Sequence, residues 1–228
     1  MGKLGRWVLR QACCDLYEWR SSVAGGAGLR VAVNISGRHL QNGELVNDVA
    51  MALKMSGLEP ENLVIELTES TMMYNIDANL ERLHQLKGLG VRLAIDDFGT
   101  GYSSLAYLDR FPIDILKIDR SFISRLTNSG KGPELARAVI TLGQTLGLDT
   151  VAEGIELEPQ VAALLALGCV AGQGFLFAKA ASLKQLLNSE FVAKRNAYWT
   201  AQAAREDLSA TGRFQALKAL GERAGRPA

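Results

Sequence analysis

Leu93-Ala94-Ile95-Asp96-Asp97-Phe98-Gly99-Thr100-Gly101-Tyr102-Ser103-Ser104 is the stretch that decides the fold: an apolar run that stops on two adjacent carboxylates and then turns through glycines. Val91 to Ile95 reads as a buried β-strand, Gly99 and Gly101 flank a turn, and Ser104 to Leu108 predicts a helix. Taken alone, Asp96-Asp97 either caps that helix and opens the turn, or holds a divalent cation at the C-terminal end of a strand. The strands on either side distinguish the two readings.

Upstream, Leu29 to Ser36 is a β run carrying Asn34, and Leu63 to Ser70, introduced by Pro60, is a second that carries a lone Glu66 among apolar residues. Downstream, Ile113 to Asp119 places Lys117 and Asp119 on one face, Asp149 to Glu156 carries Glu153, and Val170 to Phe177 carries Gln173. Helical periodicity fills the intervals at Leu4 to Arg20, Asn42 to Met55, Asp77 to Lys87, Pro133 to Leu146 and Pro159 to Leu167, with Gly57, Gly88, Gly147 and Gly168 at or near their ends.

Strands alternating with helices at this spacing predict βα units and a mostly parallel sheet, an α/β fold. Each strand has a polar residue at or near its C-terminal end, which is where barrel enzymes and open α/β sheets both carry their active sites. Six such ends converge if the sheet closes, which favours the cation site over the cap. A closed barrel of βα units normally has eight strands, and here six follow an N-terminal helix. The expectation is a TIM-like (β/α) barrel that is incomplete upstream of Met1.

Composition narrows the partners. Twenty-five basic against twenty-four acidic side chains leave no general polyanion-binding signature, so neither DNA nor RNA is expected as a partner. Cys13 and Cys14 are adjacent and Cys169 is remote, which makes neither a disulfide framework nor a metal knuckle and points to a reducing compartment. The most apolar window, Val161 to Val170, is too short to span a bilayer, and the N-terminus has no signal-peptide pattern. A cytoplasmic location without a membrane segment is the expectation.

Oxygen ligands without a His or Cys cluster favour Mg²⁺, Mn²⁺ or Ca²⁺ over Zn²⁺. Asn34, Glu66, Asp96, Asp97 and Glu153 supply enough oxygen for two such ions. Two metals about 3.5 to 4 Å apart suit hydrolysis of a phosphodiester. Lys117 then lies near the attacking water or the phosphate, or else pairs with Asp119 or another strand-end acid. Two other readings stay open: an enolase-like barrel with Lys117 as base, and a dinucleotide fold, whose third glycine is absent after Gly99 and Gly101.

Taken in order, Val33-Asn34-Ile35-Ser36, Glu66-Leu67-Thr68-Glu69-Ser70, Asp96 to Ser104, Leu116-Lys117-Ile118-Asp119-Arg120-Ser121-Phe122, Ala152-Glu153-Gly154-Ile155-Glu156 and Gln173-Gly174-Phe175-Leu176-Phe177 resemble the EAL family of cyclic di-GMP phosphodiesterases, from about Leu4 to Leu187. That family forms a modified (β/α)8 barrel and uses Mg²⁺ or Mn²⁺ to hydrolyse cyclic di-GMP to pGpG. The resemblance implies metal ligation by Asn34, Glu66, Asp96, Asp97 and Glu153, with Lys117 beside the catalytic water and Glu153 also a candidate general base. It further implies that Glu69 pins the loop from Asp97 to Ser104, which includes Gly99, Thr100 and Gly101 and couples the site to dimerisation, and that Glu156 and Gln173 line the site. A homodimer and an upstream sensor or diguanylate-cyclase domain are the implied partners.

The family takes its name from a Glu-Ala-Leu motif whose Glu is a metal ligand, and no such triplet occurs in these 228 residues. The expectation is therefore an N-terminally shortened domain with weak or no turnover, or a degenerate receptor or interaction module. His39, where the family commonly has Gln, and His84 are expected at the surface, Ala180 replaces a frequent Pro, and Cys169 is expected to be buried packing. The barrel is assigned to residues 1–187. Residues 188–228, with seven basic and four acidic side chains, are expected to form extra C-terminal helices that carry Phe191, Tyr198, Trp199 and Leu208.

Overall fold

The computed structural model describes residues 2–22, 28–99, 105–127, 132–169, 171–182 and 184–185. The expected extension over 188–228 lies outside them. The elements are α1 (Gly2–Ser22), β1 (Val31–Asn34), α2 (Gly37–Gln41), α3 (Leu45–Ser56), β2 (Leu63–Thr68), α4 (Glu69–Met73), α5 (Ile76–Gly88), β3 (Arg92–Phe98), α6 (Leu105–Leu108), β4 (Ile115–Ile118), α7 (Arg120–Ile123), α8 (Gly132–Thr145), β5 (Asp149–Ala152), α9 (Glu158–Ala166) and β6 (Ala171–Gly172). The strands lie in chain order in a six-stranded sheet. The pairs β1 with β2, β2 with β3 and β5 with β6 are parallel. This is the α/β class and the βα succession expected of a TIM-like barrel.

The described residues fall into two compact units. One takes those within Met1–Ser22, Gly26–Lys117 and Gly143–Asp149, the other those within Ile118–Leu142 and Thr150–Ala228. In the first, β2 is buried along Leu63–Leu67, which is why its sequence is an almost unbroken apolar run. Leu9, Cys13 and Leu16 of α1, Val49 of α3 and Leu83 and Leu86 of α5 supply the helix side of that core. The apolar stripes of these helices thus meet a sheet that has few polar side chains of its own. Asp114 anchors the N-terminal ends of two strands, its carboxylate accepting 2.8 Å bonds from Lys87 Nζ and from the Leu93 N–H.

In the second unit Ile118, Ile123, Ile140, Ile155, Leu164 and Cys169 are the centre of a separate apolar cluster. Buried Gln160 ties its periphery. Gln160 Oε1 accepts from the Glu156 and Leu157 N–H groups at 2.8 and 2.9 Å, and Nε2 donates to the Ile123 carbonyl at 3.2 Å. A buried amide with both ends satisfied in this way fixes the chain between β5 and α9.

Several expected bounds are corrected. The strand read over Leu63 to Ser70 ends at Thr68, because the Thr68 hydroxyl accepts from the Thr71 N–H and opens α4 at Glu69. The strand read over Val170 to Phe177 shrinks to Ala171–Gly172. Beyond it the Ile155 N–H donates to the Gln173 carbonyl and the Leu176 N–H to the Ile155 carbonyl, so the chain wraps Ile155 instead of running straight. His39, expected at the surface, is 6% exposed, its Nε2 2.8 Å from Asp48 Oδ2. His84 is exposed and Cys169 buried, as expected.

Candidate active site

Parallel register brings the strand ends of the first unit level. Asn34 is the register partner of Glu66, and Thr68 that of Asp96. β1 ends on Asn34, whose side chain is exposed, while Glu66 and Asp96 are 6% and 8% exposed. Two buried carboxylates are tolerable only if paired, and Lys117 from β4, itself buried, provides the pairing. Its Nζ lies 2.8 Å from Glu66 Oε2 and 2.9 Å from Asp96 Oδ1. Lys117 thus pairs with strand-end acids, as one of its two sequence readings expects. Asp119 instead caps α7, accepting from the Ser121 N–H at 2.9 Å.

Asp97 adopts φ +54, a left-handed conformation that Asp tolerates better than most residues. Its N–H donates to Asp96 Oδ1 at 3.1 Å, and one oxygen of each carboxylate lies within 4.8 Å of the other. Glu66 and Asp96 thus share the Lys117 ammonium, and Asp97 brings a further carboxylate beside Asp96. These all-oxygen carboxylate donors suit a hard divalent cation.

Glu69, at the start of α4, accepts the Gly99 N–H on Oε2 at 3.0 Å, so the turn after Asp97 is held by an adjacent helix. Thr100 and Gly101 lie outside the described residues. The position of α4 in turn depends on Asn79 of α5, fully buried, whose amide donates to the carbonyls of Thr71, Met72 and Tyr74. Asn79 belongs to no motif, and its one sequence signal is its place at i, i+4 and i+7 with Leu83 and Leu86, a polar group on a core face. Gln160, at the N-terminal end of an apolar helix face, carries the same signal.

In the second unit Glu153 follows β5, its N–H donating to the Ile118 carbonyl at 3.0 Å. Gln173 Nε2 donates to Glu153 Oε1 at 2.8 Å. These two site residues from the sequence are thus brought together. The Glu156 side chain is exposed and only its backbone takes part in the Gln160 contact.

The family model for the EAL domain matches residues 1–180. The chain is 45% identical over 187 residues to the bifunctional diguanylate cyclase/cyclic di-GMP phosphodiesterase MucR of Pseudomonas aeruginosa, covering 82% of this chain and 27% of that protein. With the cyclic di-GMP phosphodiesterase NbdA of the same organism it shares 47% identity over 184 residues, covering 81% of this chain and 23% of that protein. The chain thus spans about a quarter of the length of these relatives. A solved structure of the MucR phosphodiesterase in complex with c-di-GMP superposes with a TM-score of 0.77 at 45% identity, covering 81% of this chain and 74% of that one.

Proposed function

This chain belongs to the EAL domain family, and from that premise we propose that it binds cyclic di-GMP and hydrolyses one of its phosphodiesters to give pGpG. The observation that carries the reading is the buried Glu66–Lys117–Asp96 arrangement beside Asp97, an anionic pocket of hard oxygens at parallel strand ends. Asn34, Glu66, Asp96, Asp97 and Glu153 are the residues to hold one or two Mg²⁺ or Mn²⁺ ions, which when bound activate water and neutralise charge developing on the phosphate.

The protein's own groups have distinct parts. Lys117 keeps Glu66 and Asp96 at close quarters and supplies a fixed positive charge near the scissile phosphate. Glu153 takes the proton of the water whose oxygen attacks phosphorus, the P–O bond to the ribose oxygen breaks, and that oxygen leaves as a hydroxyl with a proton from solvent. The Gln173 amide, donating to Glu153 Oε1, fixes that carboxylate. Glu69 holds Gly99, and Thr100, Gly101 and Glu156 are the further residues proposed to meet the nucleotide. In this reading the protein acts as a homodimer in the cytoplasm, downstream of a sensor or diguanylate-cyclase domain, with 1–187 as the catalytic domain and 188–228 as a helical extension.

Chromatography of cyclic di-GMP incubated with the protein and Mn²⁺ tests this. The expected result is slow pGpG formation that chelation, Asp97→Asn or Glu153→Gln abolishes; absence of both nucleotide binding and turnover would refute it. The alternative reading is a receptor that binds cyclic di-GMP without turnover. Calorimetric binding of cyclic di-GMP with no pGpG after prolonged incubation would select that reading.

A further inference from the structure

Away from the strand ends, two helical stripes of the first unit face one another across a cavity of about 290 Å³. Lys3, Arg6, Trp7 and Arg10 follow i, i+3, i+4, i+7 on α1, and Asp48, Met51, Ala52 and Met55 repeat the same spacing on α3. Ala52 is the buried floor, whereas Trp7, Met51 and Met55 are 53%, 63% and 57% exposed, a concentration of large apolar side chains in water. Methionines beside an aromatic ring make an adaptable apolar wall.

The charge around the groove is one-sided. Asp48, its one acid, is 2.8 Å from His39 Nε2 and 3.9 Å from Arg6, which also reaches Glu44 at 3.6 Å. Among the described residues neither Lys3 nor Arg10 is in an ion pair. α1 has no acidic residue in its first turn to offset them. The groove therefore offers an apolar floor bordered by two cations that no described residue pairs, one helical turn on either side of Trp7.

We propose that this groove docks an acidic amphipathic helix of a partner protein, its apolar stripe on Trp7, Met51 and Met55 and its flanking carboxylates on Lys3 and Arg10. A second copy is a poor occupant, since isologous pairing sets Lys3, Arg6 and Arg10 against themselves. The segment 188–228 of the same chain is also mismatched, with seven basic against four acidic residues.

The probe is a fluorescein-labelled peptide of about 18 residues with leucines at i, i+3, i+4, i+7 and glutamates on both flanks, titrated with the full chain. The expected result is micromolar binding that weakens as NaCl rises from about 0.05 to about 0.5 M. Lys3→Glu/Arg10→Glu and Met51→Ser/Met55→Ser should each weaken it about tenfold, while Lys54→Glu, an exposed change on α3 outside the groove, leaves it unaltered. Thermal melts of the variants check that the fold persists. Equal binding by wild type and both double variants overturns the proposal, as does equal affinity for a lysine-flanked peptide. So does failure of the peptide to bind while phosphatidylglycerol vesicles, or a second copy seen by sedimentation, do bind in a manner sensitive to the same substitutions.

Discussion

Lys117 shows how far a single side chain can set the character of a site. Removing its charge leaves Glu66 and Asp96 buried without their shared cation, and orphaning part of a buried ion network costs about 3–5 kcal/mol. Urea denaturation of Lys117→Met should show a loss of that size. Adding Glu66→Gln to the same chain should recover part of it, because one of the two stranded charges is then gone. A second residue-scale prediction concerns Cys13, whose thiol is pushed up from 9.0 to about 11 by burial and then by the nearby Cys14. The folded state keeps the proton that the unfolded chain releases above pH 9, so this contribution to stability is complete below about pH 9 and is lost as pH rises through about 11. The stability of Cys13→Ala should fall less steeply over that window than that of wild type, measured by denaturation at stepped pH. At this scale the sequence marked Glu66, Asp96 and Lys117 because a charge in an apolar run is costly without a partner. His39 escaped because its partner, Asp48, is on another helix and no local pattern foretells the pair.

At the scale of elements, the chain after β6 is fixed by a close backbone approach. A Cβ at Gly174 would lie 2.1 Å from the Ile155 carbonyl oxygen and 2.2 Å from its nitrogen, neither of which can move without breaking the Gln173 and Leu176 hydrogen bonds to Ile155. Gly174→Ala should therefore cost about 3 kcal/mol or more and, since Gln173 is next to it, should also weaken cyclic di-GMP turnover or binding. Ala178→Ser, in the exposed stretch beyond, serves as the neutral control. Asn79 works across elements in the same sense. Asn79→Ala leaves the carbonyls of Thr71 and Met72 without their donor at a cost of about 2 kcal/mol. Since α4 also carries Glu69, the Gly99 amide should exchange faster with deuterium in that variant, whereas a purely local loss would leave it unchanged. Long periodic segments such as α1, α3 and α5 were legible because their apolar stripes repeat over several turns. The short α2 and α7 were not: each has fewer than two turns and is set by a capping side chain, Ser36 or Asp119, that resembles any turn residue.

For the molecule as a whole, the order of strands and helices followed from sequence periodicity, and so did the level of Asn34, Glu66 and Asp96 within the first unit, since parallel βα units impose both. Which carboxylates share a cation did not, because that depends on the register of β1, β2 and β3 and on the left-handed turn at Asp97. With a formal net charge of +1, the chain as a whole has little attraction for a cation, so the proposed divalent-ion binding rests on the local carboxylates at the strand ends. That makes metal binding measurable as global stability without any substrate. At Mn²⁺ about a hundredfold above its dissociation constant, linkage adds about 2.7 kcal/mol, which for a chain of this size raises the melting temperature by roughly 5–10 °C. Excess chelator should return the midpoint to its starting value. Asp97→Asn keeps a side chain that tolerates positive φ and removes one anionic oxygen, so its metal-free melt should match wild type within about 2 °C while its Mn²⁺ shift largely disappears. An equal Mn²⁺ shift in wild type and Asp97→Asn would mean that the ion binds elsewhere, and the carboxylates at the strand ends would then be explained by Lys117 alone.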